Sequence, residues 1–322
     1  SLFNDTFGTS IKSYEELNDV YKSLVFTYFA TSLKEVKKVS RYSKYLLTKK
    51  STNVYVFINS LMRDKTTREY YEKISGELVK EFGIDELLSS MEIEDYIDSD
   101  AFIDVDKCIL KYISEQLFNG IDEYDLYKSY IDTRENKYWH DKLENEYNLL
   151  KSAIGFFEKI KQTENQIKII DMYKFAKDYA DNFSEVDTLY RKVYFYFDNI
   201  EDKDMFISLK NKIENIYVNN FMSELSIKWS DMIENMSRYD SNHMTLQKDF
   251  YKTYVRPFND KKDRVIVIIS DAFRYECAKE LNNKLKALAS KSEISYIQGL
   301  VPSYTKLGMA SLLPNKELSR VK

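Results

Sequence analysis

Apolar side chains recur at helical spacing through most of this chain. After Ser13-Tyr-Glu-Glu16, a capping-box spacing, Leu17, Val20, Tyr21, Leu24 and Tyr28 share one face and predict a helix within residues 13–39. The polar run Thr48–Asn53 reads as a loop. Val54–Ile58 has strand propensity, but its flanks favour a buried helical turn. Helices are expected over 66–82, closed by Gly83, and over 104–118, closed by Gly120. Others are expected over 122–132, 136–161 and 163–181. Ser184-Glu-Val-Asp187 resembles another helix start. Beyond it Met205, Leu209, Ile213, Ile216, Phe221, Leu225, Trp229, Ile233 and Met236 trace a stripe that drifts around one face, and Arg238–Thr245 is a polar link.

The pattern changes at Lys261. Val265–Ile269 is an unbroken β-branched run of the kind buried on both faces of a parallel sheet, and it ends at Ser270-Asp271. A helix is predicted over Ala272–Ala289, a second short strand over Glu293–Ile297, and a further helix over Tyr304–Leu313. This β-α-β-α order is the opening of a doubly wound α/β sheet. Two parallel strands cannot bury both faces, so the chain reads as a fragment with more strands to follow Lys322. The expected fold is therefore mainly α: a helical domain over 1–260, then a truncated α/β unit over 261–322. The sparse helix breakers agree. Only seven Gly and three Pro occur, and every Pro lies at or beyond residue 257.

Composition narrows the function classes. A net charge of -4 exerts no bulk pull toward nucleic acid or an anionic membrane. No apolar run approaches the roughly 20 residues of a membrane span, and no secretory signal pattern opens the chain. Cys108 and Cys277 are far apart and lack metal spacing, which points to reduced, buried thiols in a cytoplasmic protein. No GxxxxGK phosphate loop occurs. Phe273 stands where a haloacid-type phosphatase would carry its second acid.

The candidate chemistry lies in the last 60 residues. Asp271, at the C-terminal edge of a predicted parallel strand, is placed either to bind a divalent cation or to cap the next helix. Ser303 and Thr305 sit at a predicted helix start, where the orphan N–H groups and the helix dipole favour an anion. Such a hydroxyl serves either as a phosphoryl-accepting nucleophile or as a helix cap. Gly308, Ala310 and Ser311 would keep that helix thin enough to lie close on a sheet.

The motifs Ser270-Asp271-Ala-Phe-Arg274-Tyr-Glu276 and Pro302-Ser-Tyr-Thr305-Lys-Leu-Gly308-Met-Ala-Ser-Leu-Leu-Pro314 closely resemble the PglZ family, in its type A branch. This is the alkaline-phosphatase-superfamily component of BREX bacteriophage-exclusion systems. Asp187–Asp198, Tyr217–Trp229 and Gln247–Phe258 resemble the helical region ahead of that family's phosphatase domain. The resemblance implies a metal-dependent phosphatase, with Asp271 and Thr305 as metal ligands. Thr305 is the expected nucleophile and Ser303 the reserve. Arg274 and Lys306 are candidate phosphate contacts, although Lys306 reads equally as a solvated helix charge. Zinc is the expected metal. His140 and His243 fall in the helical region and match no ligand motif, so the fragment is expected to bind no metal and to be inactive.

The resemblance also implies other BREX proteins as partners and a phosphorylated substrate of unknown identity. A second reading makes the chain a helical protein–protein interaction scaffold with no catalytic role. Nucleic-acid binding, suggested by 27 Tyr among many Lys, is disfavoured by the acidic net charge and the absence of recognition motifs.

Overall fold

The computed structural model describes residues 2–13, 16–164, 166–167, 171–237, 239, 243–288 and 291–315. It is dominated by helices, and no β-strand forms among the described residues. The chain falls into two compact units, one built from Ser1–Gly155 with Lys192–Ile213, the other from Phe156–Arg191 with Glu214–Lys322. These units do not divide at residue 260. Residues 156–191 and 214–322 together make up the second of them. Among the described residues no helix is long and apolar enough to cross a membrane.

In the first unit, Leu17–Ser32 is the buried spine, with Leu24, Phe26 and Phe29 fully enclosed. The capping box foreseen ahead of it falls partly on residues 14 and 15, outside the described residues. Ser51–Arg63 buries Val54, Ile58 and Met62 at i, i+4 and i+8, as the helical reading of Val54–Ile58 requires. The loop expected at Thr48–Asn53 is a 3₁₀ turn, Thr48–Lys50, running straight into that helix. Gly83 and Gly120 adopt left-handed conformations, with φ of 57° and 79°, and close Arg68–Phe82 and Ile103–Asn119.

A fully buried ion pair organises the middle of this unit. Arg134, on Tyr124–Arg134, meets Asp106, on Ile103–Asn119, through Nε–Oδ1 at 2.9 Å and Nη2–Oδ2 at 2.7 Å. Its Nη1 donates to the Ile97 and Ser99 carbonyls, each at 2.7 Å. Tyr147, on Glu144–Thr163, donates to Asp106 Oδ1. Every charged atom here has a partner, which is the condition under which a buried pair is tolerated.

Three π-helical turns occur among the described residues of the second unit, the first of them where a helix break before Ser184 is expected. Met172–Asp178 passes through a π turn at Tyr179–Phe183 into Ser184–Asp198 without stopping. Ser184 is therefore not a helix start. Its Oγ donates to the Ala180 carbonyl within a continuous helix at 3.2 Å. A second π turn, Ile216–Met222, joins Asp204–Asn215 to Ser223–Glu234. Each π turn adds a residue to the helical repeat, which is why the apolar stripe between Met205 and Met236 drifts. The third is Tyr251–Val255. The predicted 163–181 helix and the 238–245 link fall partly outside the described residues.

The expected β-α-β-α pairing is not formed. Among the described residues Val265–Ile269 has no strand partner, and Ile266 and Ile268 are 71% and 87% exposed. Among the described residues the second predicted strand, Glu293–Ile297, is likewise unpaired, and a single parallel bridge links Gln298 to Leu246. β-branched composition gives a segment the propensity for a strand, but a strand also needs a neighbour to take its N–H and C=O groups. The helices of this region do form, at Tyr275–Leu288 and Thr305–Leu312. Residue 289, the predicted end of the first, lies outside the described residues.

Asp106→Ala strands the Arg134 guanidinium in the core and is expected to cost about 3–5 kcal/mol in urea denaturation. A second expectation concerns Asp104, whose carboxyl is pushed up to about 6, first by burial and then by Asp85 beside it. The folded chain holds this proton across a range where the unfolded chain has released it. The associated stability is complete below about pH 4 and is lost as pH rises through about 6. Asp104→Asn should thus gain on the wild type between pH 4 and pH 7, by roughly 1 kcal/mol after allowing for solvent screening of a part-exposed group. Melting curves across that range test it.

Candidate functional site

The two conspicuous sequence motifs meet in the second unit. Ser270-Asp271 and the segment Gly299–Thr305 line one cavity of about 290 Å³, with Gly308, Met309 and Leu312 from the Thr305–Leu312 helix forming another wall. Asp271, Ser303 and Thr305, chosen from sequence as the chemical centre, all line it. Their convergence is tertiary, since 32 residues separate Asp271 from Ser303.

Local geometry bears on the capping alternatives left open above. Asp271 does not cap a helix. Its Oδ1 accepts from the Ala272 N–H at 3.0 Å in a tight turn where Ala272 takes a left-handed φ of 55°, and the next helix begins only at Tyr275. Ser303 is not a cap either. Tyr304 occupies the N-cap position of Thr305–Leu312, in extended conformation and without a side-chain capping bond. Among the described residues neither the Ser303 nor the Thr305 hydroxyl is engaged in a hydrogen bond, so both stand available beside the orphan N–H groups of the first turn.

Gln247, which sequence reasoning missed, holds the cavity's walls in place. Its backbone N–H donates to the Gln298 carbonyl at 2.8 Å. Its side chain accepts from the Leu300 N–H at 3.3 Å and donates to the Gly308 carbonyl at 3.2 Å. A Cβ at Gly308 would lie 3.3 Å from Gln247 Nε2, so the glycine admits this amide rather than thinning the helix against a sheet. No local pattern marks a glutamine for such a role. Its partners are 51 to 61 residues away.

Arg274 and Lys306 are not placed with these groups. Lys306 is exposed and is not among the residues lining the cavity. Arg274 is committed elsewhere. Its Nε meets the fully buried Glu276 carboxylate at 2.9 Å, its Nη2 lies 3.7 Å from Asp187, and it hydrogen-bonds Tyr217. The Tyr217 hydrogen bond and then the Glu276 and Asp187 charges hold its proton more tightly than usual. Asp187 also accepts from the Tyr179 and Tyr217 hydroxyls, and the Tyr179 phenol is raised well above its ordinary value, first by burial and then by that bond. Arg191 pairs with Glu280, while Lys279 donates to the Ala180 carbonyl at 2.9 Å. Together these contacts fasten Tyr275–Leu288, immediately after Asp271, to the π-turn region of the 172–198 helix.

A second cavity of about 290 Å³ adjoins the first at Gly299 and is walled by Phe175, Tyr179, Trp229, Tyr275 and Tyr296. As for metals, among the described residues no group of three or more His, Cys, Asp or Glu side chains could hold an ion. Asp271 and Thr305 supply two oxygen donors, fewer than a divalent cation takes, and His140 stacks on Tyr147 instead. The described residues alone therefore do not make up a metal site.

Two exposed hydroxyls at a helix N-terminus and a carboxylate on a tight turn after an apolar run thus line the same cavity. Residues 250–322 match the family model described as the BREX system PglZ alkaline phosphatase-like domain. The chain is 41% identical over 270 residues to the alkaline phosphatase-like protein PglZ of Bacillus cereus (strain H3081.97), a match covering 83% of this chain and 32% of the relative. It is 33% identical over 204 residues to the alkaline phosphatase-like protein BrxZ of Escherichia coli O9:H4 (strain HS), covering 60% of this chain and 24% of that protein. The chain belongs to the PglZ family, and it spans about a third or less of the length of these relatives. No solved structure matches it significantly.

If Arg274 serves the fold, Glu276→Ala and Arg274→Ala will be coupled. A double-mutant cycle in thermal or urea unfolding should give about 1–3 kcal/mol of interaction energy. A coupling near zero would return Arg274 to the pool of phosphate contacts.

Proposed function

We propose that the Asp271–Thr305 cavity is part of a phosphoryl-transfer site in a phosphatase-like component of a BREX phage-defence system. The observation that carries this reading is the convergence of Asp271 with two unengaged hydroxyls, Ser303 and Thr305, at a helix N-terminus. Thr305 is the nucleophile and Ser303 the reserve. Thr305 Oγ1 forms a bond to phosphorus as the bond to the leaving oxygen breaks, and the hydroxyl proton passes to solvent or to the Asp271 carboxylate. Water then cleaves the Thr305 phosphoester. The backbone N–H groups of the first helical turn take up the charge on the phosphoryl oxygens. The aromatic cavity adjoining at Gly299 suits an apolar or planar leaving group.

The divalent metal expected of this family, zinc first, would take Asp271 and Thr305 as ligands and draw the others from outside the described residues. Other BREX proteins are the proposed partners and the cytoplasm the proposed location. On this reading the 322-residue chain by itself is inactive.

Hydrolysis of p-nitrophenyl phosphate and of its bis-ester, with zinc or manganese, tests this in a polypeptide carrying the segment at the full length of its relatives. Thr305→Ala should lower turnover on the order of 10³-fold, and Lys306→Ala should leave it nearly unchanged. Loss with Ser303→Ala alone would move the nucleophile to Ser303. Full turnover by both hydroxyl variants would sink the proposal, and turnover by the 322-residue chain would refute its inactivity.

A further inference from the structure

The chain's charge is unevenly distributed, and its strongest concentration lies far from the candidate site in sequence. Residues 34–50 hold Lys34, Lys37, Lys38, Arg41, Lys44, Lys49 and Lys50 against the single acid Glu35. That local excess of six positive charges sits in a chain whose total is -4, so the remainder carries -10. All seven cations are exposed. Lys38 pairs with Asp95, whereas Lys37, Arg41, Lys44, Lys49 and Lys50 make no ion pair among the described residues.

The fold holds this segment still and turns its basic side outward. Val36–Tyr45 is a run of 3₁₀ turns broken by kinks at Val39 and Tyr42. Val39 is fully buried, and the Tyr42 and Tyr45 rings pack on Phe82 with centroids 5.6 and 4.8 Å away. The Tyr42 hydroxyl donates to the Phe82 carbonyl, and the Leu47 N–H donates to Thr27 Oγ1 at 2.9 Å. Val39 is buried and Tyr42 and Tyr45 are part-buried, whereas Lys38, Arg41 and Lys44 are exposed. Arg41 lies over the Tyr42 ring at 4.7 Å and Lys44 over the Tyr45 ring at 4.6 Å, which limits the rotamers these cations sample.

We propose that the basic segment Lys34–Lys50 is a binding surface for the sugar–phosphate backbone of nucleic acid. A cluster of exposed cations, two of them resting on aromatic rings, suits a polyanion. A membrane fits less well, because a surface-bound amphipathic helix needs an apolar face to insert, and here that face is spent on the core. Bulk charge argued against nucleic acid only because it averages this segment with the acidic remainder. Contacts of this kind read phosphates rather than bases, so binding is insensitive to sequence and strongly dependent on salt.

Fluorescence anisotropy of a labelled duplex of about 25 base pairs, titrated with the chain between about 50 and 200 mM salt, tests the proposal. Expected are a micromolar dissociation constant at the low end and a linear fall of log affinity with log salt. The triple variant Arg41→Gln/Lys44→Gln/Lys49→Gln should reduce that slope by roughly three, about 0.9 for each phosphate it no longer neutralises. Lys65→Gln/Lys73→Gln/Lys111→Gln, with the same net charge, should leave the slope unchanged. Absence of binding at low salt would overturn the proposal. So would a slope indifferent to the first variant, or lowered equally by both. Capture of the chain by phosphatidylserine vesicles without duplex binding would overturn it in favour of a membrane surface.

Discussion

The candidate site depends on the burial of one carboxylate, Glu276, directly after the Asp271 turn. A fully enclosed acid is costly unless cations meet it. Arg274 meets it at 2.9 Å, with Arg191 Nε 4.0 Å away. Arg191 comes from the preceding helical region, and so does Asp187, which shares Arg274 with Glu276. The helix after Asp271 is thereby held by residues some 90 positions earlier. Residues 156–191 and the C-terminal segment belong to the same compact unit.

That network engages a conspicuous residue. Arg274 stands three positions after Asp271, and in a phosphatase-like motif an arginine invites reading as a phosphate contact. The structure gives its guanidinium to Glu276, Asp187 and Tyr217. The hydroxyls follow the opposite course. Ser303 and Thr305 were open to interpretation as helix caps, yet Tyr304 takes the N-cap position without a capping bond, leaving both beside the cavity.

The two charged centres of the molecule follow the same physical rule in different settings. In the first unit Arg134 and Asp106 are fully buried and fully bonded, so they specify how the 103–119 and 124–134 helices pack. The basic segment around Arg41 is the contrast. Its aromatic side satisfies the core, and its cations are left to solvent and to whatever anion solvent delivers.

Much of the helical content was legible in the sequence alone, since apolar spacing at 3.6 residues and the left-handed glycines 83 and 120 are local properties. The motifs that resemble the PglZ family drew attention to Asp271, Ser303 and Thr305, which line one cavity. What only tertiary structure decided were the features that need a partner. Val265–Ile269 has strand composition but no neighbour to bond, so it stays unpaired. Ser184 has capping chemistry but lies inside a π-turned helix. Gln247 has no signature at all and yet joins Leu300 to Gly308. Propensity belongs to a residue and its near neighbours, whereas hydrogen-bond satisfaction and charge pairing belong to the fold.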